Sequence, residues 1–345
     1  MEPLPSTPLD TTPVAPPRQL IYVRRALLAL VFASAGFIAY TYLSETATAS
    51  TKDEGTQAAA AAIALQKEVA REAFAEVALQ ATSAIVFDAS TGVTLFARNA
   101  SAQLPLASLT KVPLALAVSE ALPQDALITL ARPVQGSGTT DSLPAGSRWY
   151  VRDLVDFTLV GSSNDGAQTL ADLADESLRT RYPEAPAGVA AVWLMNKLAT
   201  DLALPHTYFL NPTGLDESLS QSGAYGSAAD MARLFAYAAT TSHALLGATA
   251  EKEVRIASLE GLVAVSRNTD EAIGDIPGLV MGKTGFTDLA GGNLAVVADI
   301  TPEHRIVAVV LGSTREGRFS DIRTLIAAAR TSITSFEQAT TTPTP

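Results

Sequence analysis

The sequence predicts an α+β fold: an antiparallel β-sheet covered by helices, with an inserted helical subdomain. Two observations favour this class. β-rich runs fall in two groups, at 84–97 and at 278–311, whereas the stretch between them has mainly helical patterns. Neighbouring β-runs are joined by short connections, which are typical of antiparallel hairpins. One sheet made from both groups, with the middle stretch packed beside it, buries all of these elements.

The composition bounds both the size of the core and the class of partner. The 345 residues are 48% hydrophobic, which is enough for a substantial core, and they carry a formal net charge of −11. Such an acidic chain does not favour nucleic acid, which needs a clustered basic surface. The chain has no cysteine, so disulfides, thiolate nucleophiles and cysteine metal sites are excluded. The sequence offers no motif for a metal ion or a cofactor, and we expect none.

An uncharged stretch near the N-terminus, Ala26–Leu43, predicts a transmembrane anchor. A helix of this length spans roughly 27 Å, close to the thickness of a bilayer core. Arg18, Arg24 and Arg25 precede it, so the positive-inside rule keeps the N-terminus in the cytoplasm and places the rest of the chain outside the cell membrane. The alternative is a signal peptide cleaved near Ala49, although the apolar core of such peptides is usually shorter.

After the anchor, helical spacing places Ile63, Ala70, Phe74 and Val77 on one face of the segment 57–79. We interpret this segment as a helix that leads into the globular domain; the alternative is a stalk that packs on nothing. The predicted organisation is a cytoplasmic disordered tail (1–25), the anchor (26–43), a spacer and lead-in helix (44–80), a globular domain (81–335) and a second disordered tail (336–345).

Local patterns predict the elements of the domain. Ala84–Asp88 and Val93–Ala97 flank the turn residues Ser90–Gly92 and predict a hairpin. Helices fill the middle, strands return late, and a helix closes the domain. The predicted bounds are a helix-rich region at 109–238 with breaks at 136–146, 181–188 and 211–226, strands at 278–284, 293–300 and 305–311, and a last helix at 319–335.

Three short motifs carry the candidate chemistry. Ser108-Leu109-Thr110-Lys111 opens an apolar helix, Ser162-Ser163-Asn164 lies between two helical runs, and Lys283-Thr284-Gly285 ends a strand. Each motif alone is a weak signal, because such short combinations occur by accident in many proteins. All three in this order, each on a suitable element, are a strong signal of catalysis by an activated serine.

The first motif places a base beside a nucleophile. Residues three apart on a helix share a face, so Lys111 can reach the Ser108 hydroxyl. A neutral Lys111 amine, favoured by burial and by nearby cations, would take the Ser108 proton. The N–H groups at the helix N-terminus would face a developing oxyanion. The three histidines lie outside the motifs, which leaves a Ser-His-Asp arrangement without local support. The alternative role for Ser108 is a plain helix N-cap.

The other two motifs offer supporting groups. Ser162 is a second hydroxyl that can pass a proton toward a leaving amine, and Asn164 can hold a substrate amide or orient the lysine of the first motif. Lys283 and Thr284 offer a positive charge and a hydroxyl to a substrate carboxylate. Gly285 leaves room for an extended peptide beside the strand. The alternatives are an ordinary Ser/Asn loop and a surface lysine at a strand end.

The motifs and their surroundings resemble the serine D-alanyl-D-alanine carboxypeptidases, the low-molecular-mass penicillin-binding proteins. The resemblance extends over about residues 82–332. It includes Val86–Gly92, Leu106–Lys111, Leu159–Ala167, Phe209–Asp216 and Gly282–Asn293. It implies a β-lactamase/transpeptidase-like fold with 81–335 as the D,D-peptidase catalytic domain. It also implies peptidoglycan stem peptides as substrates and β-lactam antibiotics as covalent inhibitors.

The resemblance further implies an oxyanion hole made by the backbone N–H groups of Ser108 and Phe286. Relatives often have His at the position of Phe286, but a backbone role survives that difference. Pro113 follows the first motif closely and removes a helical N–H, so we expect a kink after Lys111. The predicted function is a membrane-anchored serine D,D-carboxypeptidase that removes the terminal D-alanine from stem peptides through an acyl-enzyme on Ser108.

Three alternatives remain open at the level of sequence. A β-lactamase would need a base that activates water, and Glu176–Arg179 matches only part of the Glu-x-x-Leu-Asn segment of class A enzymes. A D,D-endopeptidase would cut crosslinks with the same apparatus. A catalytically dead peptidoglycan-binding protein is the third alternative, and the intact motifs argue against it.

Overall fold

The computed structural model describes residues 56–136 and 141–341, and a five-stranded antiparallel sheet lies at its centre. The strands are β1 (Ser83–Asp88), β2 (Val93–Arg98), β3 (Leu104–Pro105), β4 (Leu127–Thr129), β5 (Val134–Gln135), β6 (Ser142–Leu143), β7 (Arg148–Tyr150), β8 (Tyr208–Phe209), β9 (Ala224–Gly226), β10 (Glu253–Ala257), β11 (Val263–Arg267), β12 (Leu279–Thr287), β13 (Gly291–Thr301) and β14 (His304–Ser313). The central sheet has the order β12-β13-β14-β1-β2, so early and late strands pair through β1 and β14. One edge of this sheet is β12.

Helices occupy most of the chain between the two groups of strands. They are α1 (56–73), α2 (Lys111–Ser119), α3 (Val151–Val160), α4 (Asn164–Arg181), α5 (Ala190–Asp201), α6 (Ala228–Thr241), α7 (His243–Leu246) and α8 (Gly317–Thr341). The helices α2 to α5 pack on one another, and α6 packs on one face of the central sheet. On the opposite face lies α8.

Both faces of the central sheet are therefore buried. In β14, Val307 and Val309 belong to the core shared with α6, whereas Ala308 and Val310 belong to the core shared with α8. All four side chains are fully buried. A strand buried on both faces reads as a continuous apolar run instead of an alternating one, which explains the unbroken run of apolar residues that marks this strand in the sequence.

The predicted hairpin and the late strands are confirmed, with bounds that differ by a few residues. The lead-in helix ends at residue 73, earlier than the predicted end at 79. Ala70 and Phe74 are buried against the α8 face, and the Phe74 ring stacks on Phe96 at 5.2 Å between ring centroids. The alternative of an unpacked stalk is therefore wrong for this part of the chain.

Helix α8 is longer than the predicted helix at 319–335. It continues to Thr341, so residues 336–341, expected in the disordered tail, are helical. The Thr301 hydroxyl at the end of β13 donates a hydrogen bond to the Glu337 carboxylate at 3.0 Å and holds the extension in place. The hairpin of β10 and β11 was not predicted.

The predicted anchor, 26–43, and the predicted tail, 1–25, lie outside the described residues. Within 56–136 and 141–341, no helix is both long enough and apolar enough to cross a membrane.

Candidate active site

Ser108 lies in a short 3₁₀ turn, Ala107–Thr110, that leads directly into α2. The preceding residue, Ala107, has a φ of 49°, a left-handed conformation that is uncommon outside glycine. A close backbone contact fixes this turn from behind: a Cβ on Gly214 would lie 1.9 Å from the Ala107 carbonyl oxygen. Only glycine fits there, so the 211–215 loop can hold the serine turn in its strained conformation.

Lys111 is fully buried, and its side-chain nitrogen is surrounded by three neutral hydrogen-bond acceptors. Its Nζ lies 2.7 Å from the Ser108 Oγ, 2.8 Å from the Asn164 Oδ1 and 2.9 Å from the Thr213 carbonyl oxygen. Burial, and secondly the charge of Lys283, lower the pKa of Lys111 well below its usual value. The geometry therefore favours a neutral amine in contact with the serine hydroxyl, as the first motif predicts. Pro113 lies in the first turn of α2, where backbone N–H groups have no partner within the helix. Its missing N–H therefore costs no hydrogen bond, and the helix continues through it.

The second motif forms the turn between α3 and α4. Ser163 is the N-cap of α4: its Oγ accepts a hydrogen bond from the Gly166 N–H at 3.0 Å and donates one to the Gln135 carbonyl. Ser162 has a φ of 57°, a second left-handed position. This local geometry separates the roles within the motif, because Ser163 caps the helix while Ser162 and Asn164 face the site.

Lys283, on β12, is the second buried lysine of the site. Its Nζ donates to the Ser162 Oγ at 2.9 Å and to the Thr284 carbonyl at 3.1 Å. Burial, followed by the positive charge of Arg318, lowers the pKa of Lys283 to about 7, whereas the Asp270 carboxylate acts in the opposite direction. The Lys283-Thr284-Gly285 motif lies inside β12, since the strand continues to Thr287 instead of ending at the motif.

Gly285 brings the backbone of β12 against the serine turn. A Cβ at this position would lie 2.8 Å from the Leu106 carbonyl oxygen and 3.2 Å from the Ser108 nitrogen. The amides of Ser108 and Phe286 therefore lie at one junction, where the predicted oxyanion hole belongs. The Phe286 ring lies under the Arg315 guanidinium, with 4.0 Å from the guanidinium carbon to the ring centroid.

A pocket of about 440 Å³ opens at this junction. It is lined by Ser108, Ser162, Asn164, Leu215, Arg267, Asn268, Thr269, Glu271, Thr284, Gly285, Phe286, Arg315 and Arg318. The two buried lysines lie behind the lining and contact it through Ser108 and Ser162. All eight site residues predicted from the sequence are thus brought together, while the role of each remains a prediction.

Sequence reasoning missed two parts of the site. The Asn211 Oδ1 accepts hydrogen bonds from the Thr213 and Gly214 backbone N–H groups at 3.1 and 2.7 Å, which fixes the Thr213 carbonyl that faces Lys111. This loop was noted for its resemblance but was not assigned to the site. Arg318, at the start of α8, is nearly buried and donates to the Gly285 carbonyl at 2.7 Å. No local pattern marks Arg318.

Comparison with known sequences points to one family. A family described as D-alanyl-D-alanine carboxypeptidase matches residues 67–315. The carboxypeptidase DacF of Bacillus subtilis is 29% identical over 244 residues, and DacB2 of Mycobacterium tuberculosis is 29% identical over 234. A D-alanyl-D-alanine endopeptidase of Pseudomonas aeruginosa is 31% identical over 220 residues. The matches cover 69, 68 and 62% of this chain. They span 59, 75 and 65% of the relatives.

Solved structures are similar over most of the domain. Penicillin-binding protein D2 from Listeria monocytogenes, in a cefotaxime-bound form, is 29% identical with a TM-score of 0.60, covering 73% of this chain and 98% of that one. A D-alanyl-D-alanine carboxypeptidase from Mycobacterium tuberculosis is 26% identical with a TM-score of 0.60, covering 77 and 93%. These likenesses confirm the predicted fold class.

Proposed function

Since the chain belongs to the D-alanyl-D-alanine carboxypeptidase family, we propose that it is a serine D,D-carboxypeptidase that removes the terminal D-alanine from peptidoglycan stem peptides. One observation carries the proposal: a fully buried Lys111 lies 2.7 Å from the Ser108 hydroxyl and contacts only neutral acceptors. Such a lysine is a base, and the serine beside it is a nucleophile.

Acylation starts at Ser108. The neutral Lys111 amine takes the Oγ proton while Oγ attacks the carbonyl carbon of the penultimate D-alanine. The tetrahedral oxyanion accepts hydrogen bonds from the Ser108 and Phe286 N–H groups. A donor of this kind typically contributes about 10²–10³-fold in rate.

The leaving amine needs a proton when the C–N bond breaks. Ser162 passes it on from the Lys111 ammonium formed in the first step, while Lys283 donates a hydrogen bond to the Ser162 Oγ at 2.9 Å and keeps its own proton. The terminal carboxylate of the departing D-alanine lies against Lys283, the Thr284 hydroxyl and Arg318, which together make one end of the pocket cationic. A buried guanidinium and ammonium suit a carboxylate that arrives without its water.

Deacylation returns every proton. Water attacks the ester carbon, one of its protons passes to the neutral Lys111 amine, and Lys111 gives a proton to the Ser108 Oγ as the ester breaks. One water molecule is consumed, and the shortened peptide leaves with a new carboxyl group.

The direct test is intact-mass analysis of the chain with a pentapeptide ending in D-Ala-D-Ala. We expect release of one D-alanine per turnover and a transient acyl adduct on the peptide that contains Ser108. Ser108→Ala is the matched control and should release none. A trapped adduct on another residue would contradict the assignment of the nucleophile.

β-Lactams should acylate the same serine and persist there. The carboxylate among the residues that line the pocket is Glu271, whose charge acts on Arg318 at the cationic end. No motif therefore supplies a carboxylate base to activate water against a bulky acyl group. Penicillin should leave an adduct on Ser108 that decays over minutes or longer. Rapid turnover of penicillin without an adduct would favour a β-lactamase.

The size of the pocket supports D,D-endopeptidase activity as a second candidate. Arg267, Glu271 and Arg315 also line the 440 Å³ pocket, whose volume is more than the methyl side chain of D-alanine requires. A larger leaving residue would fit there, and the similar Pseudomonas aeruginosa protein is named an endopeptidase. Parallel rates on a crosslinked dimer and on a pentapeptide decide between the two activities.

We also propose that Ala26–Leu43 anchors the chain in the cell membrane with the catalytic domain outside. The support is the uncharged length of this stretch and the arginines before it. Protease added to intact cells should degrade the catalytic domain and spare the tail. Full protection of the domain would contradict the proposal.

A further inference from the structure

Asp270 lies in the connection between β11 and β12 and is nearly buried, with 3% of its surface exposed. Its backbone N–H donates to the Asn268 Oδ1 at 2.8 Å, and its Oδ1 accepts the Ala272 N–H at 2.9 Å. The second carboxylate oxygen, Oδ2, is buried without a hydrogen-bond partner. A carboxylate in this state is costly unless nearby cations compensate for the lost water.

Burial raises the pKa of Asp270, and the charges of Arg318, Lys283 and Arg323 act in the opposite direction without a direct hydrogen bond to Oδ2. A Cβ on Gly282 would lie 3.3 Å from Oδ2, so the carboxylate lies against the backbone of the residue just before Lys283. The preceding Thr269 hydroxyl is hydrogen-bonded to the Thr284 hydroxyl. Asp270 is therefore held directly behind the third motif. It is not among the residues that line the pocket.

Buried charges face Lys283 from three elements. Arg318 on α8 is the cationic group that repels its ammonium, Asp270 is the carboxylate that attracts it, and Lys111 on α2 adds repulsion only when it is itself protonated. Burial alone already disfavours the charged form of a lysine. Without a compensating anion, Lys283 would be neutral over the same pH range as Lys111. A neutral amine attracts a substrate carboxylate only weakly.

We propose that Asp270 is a positioning residue that keeps Lys283 in its ammonium form, so that the pocket receives the terminal carboxylate of the substrate. The inference rests on the proposed carboxypeptidase function for its consequence, but its physical content concerns the charge of Lys283. Asp270 also faces Arg318, so one carboxylate offsets two cations at this end of the pocket.

Asp270→Asn, nearly the same shape without the charge, tests the inference in the full chain. Removing the carboxylate lowers the pKa of Lys283, so the alkaline limb of kcat/KM against pH shifts to lower pH. For a peptide with a free C-terminal carboxylate, KM at pH 8 should rise about tenfold, the effect of one pKa unit. A C-terminally amidated peptide should change less than about twofold. The matched control is Asp275→Asn, which removes an exposed carboxylate of the same connection, paired with Arg323, and should leave the limb in place.

An unshifted alkaline limb in a folded Asp270→Asn variant overturns the inference. If that variant does not fold, the wild-type chain decides by NMR titration of its ¹³C-labelled aspartates: Asp270 must be ionised at pH 7, and a protonated Asp270 there overturns the inference. If the wild type lacks carboxypeptidase activity, the proposed function fails. The role of Asp270 can then still be tested by measuring the pKa of Lys283 by NMR in the wild type and in Asp270→Asn. We expect a lower pKa in the variant, and an equal pKa would contradict the inference.

Discussion

The two buried lysines of the site have the same side chain but differ in the charges that surround it. Lys111 contacts a hydroxyl, an amide oxygen and a backbone carbonyl, and no carboxylate raises its pKa. Lys283 contacts a hydroxyl and a carbonyl, and the Asp270 carboxylate lies behind it. Burial lowers the pKa of both lysines, and the Asp270 carboxylate is the difference that we infer keeps Lys283 a cation where Lys111 is a base.

Both lysines are costly for the fold, since burial disfavours an ammonium. The fold accepts this cost where it serves chemistry, and the left-handed backbone at Ala107 and Ser162 next to the two lysines is a second cost of the same kind. The two lysine positions should therefore respond differently to the same substitutions.

The largest contrast should come from arginine. A guanidinium cannot lose its proton in a protein. Lys111→Arg should therefore lower kcat/KM by roughly 10²–10⁴-fold, the loss of a general base, whereas Lys283→Arg should stay within about tenfold because it keeps the charge. Steady-state release of D-alanine measures both. Equal losses at the two positions would break the comparison.

Removing the cation should separate substrates by their C-terminus. Lys283→Ala should lower kcat/KM for a peptide with a free carboxylate by about 10²-fold, the scale of a lost charge-assisted contact. An amidated peptide should lose much less. Lys197→Ala, which removes an exposed lysine of α5 paired with Asp201, serves as the control. Equal losses for both peptides would make Lys283 a general proton-transfer group instead.

The pH profile should be bell-shaped. Lys111 must be neutral, so activity rises with pH through its lowered pKa on the acid side. Lys283 must be charged, so activity on carboxylate-ended peptides falls as pH rises through about 7. Above that value the fall should approach tenfold per pH unit. With a C-terminally amidated peptide, most of this fall in activity above pH 7 should be absent. The same fall with both peptides would contradict the role of Lys283.

The smallest effect concerns stability. Replacing a buried charged group by a well-packed apolar one often stabilises a protein by about 1–2 kcal/mol. Lys111→Met should thus raise Tm by roughly 2–8 °C while activity is lost. The folded pKa of each lysine lies below its unfolded value, so the cost is greatest below the folded pKa and fades as pH rises toward 10.5. The gain in Tm should therefore shrink at high pH, and a constant gain would point to packing alone.

The sequence predicts the parts of this site that are local. Ser108 and Lys111 are one helical turn apart, and Ser162-Ser163-Asn164 is predicted at a break between two helical runs, where the structure has the turn between α3 and α4. The pairing of Lys283 with Ser162, 121 residues apart, follows from the fold and not from a pattern. The resemblance to a family placed these motifs in one site before the structure showed their contacts.

Residues without a motif escaped prediction. Arg318 and Asp270 matter because of what surrounds them, and their own neighbours in sequence are ordinary. The end of α8 was placed too early for a related reason: its threonine-rich sequence is typical of a tail, yet the contact between Thr301 and Glu337 holds the segment helical.

The central claim is that Lys111 is neutral and Lys283 charged over a shared range of pH. The chain has six lysines, so NMR titration of the ¹³C-labelled side chains in the full chain, purified in mild detergent, gives few signals. Lys111→Met and Lys283→Met assign the two buried ones. We expect Lys111 to be neutral at pH 7 and Lys283 to titrate near that value, clearly above Lys111. A charged Lys111 at pH 7, or one shared titration for both, would contradict the account.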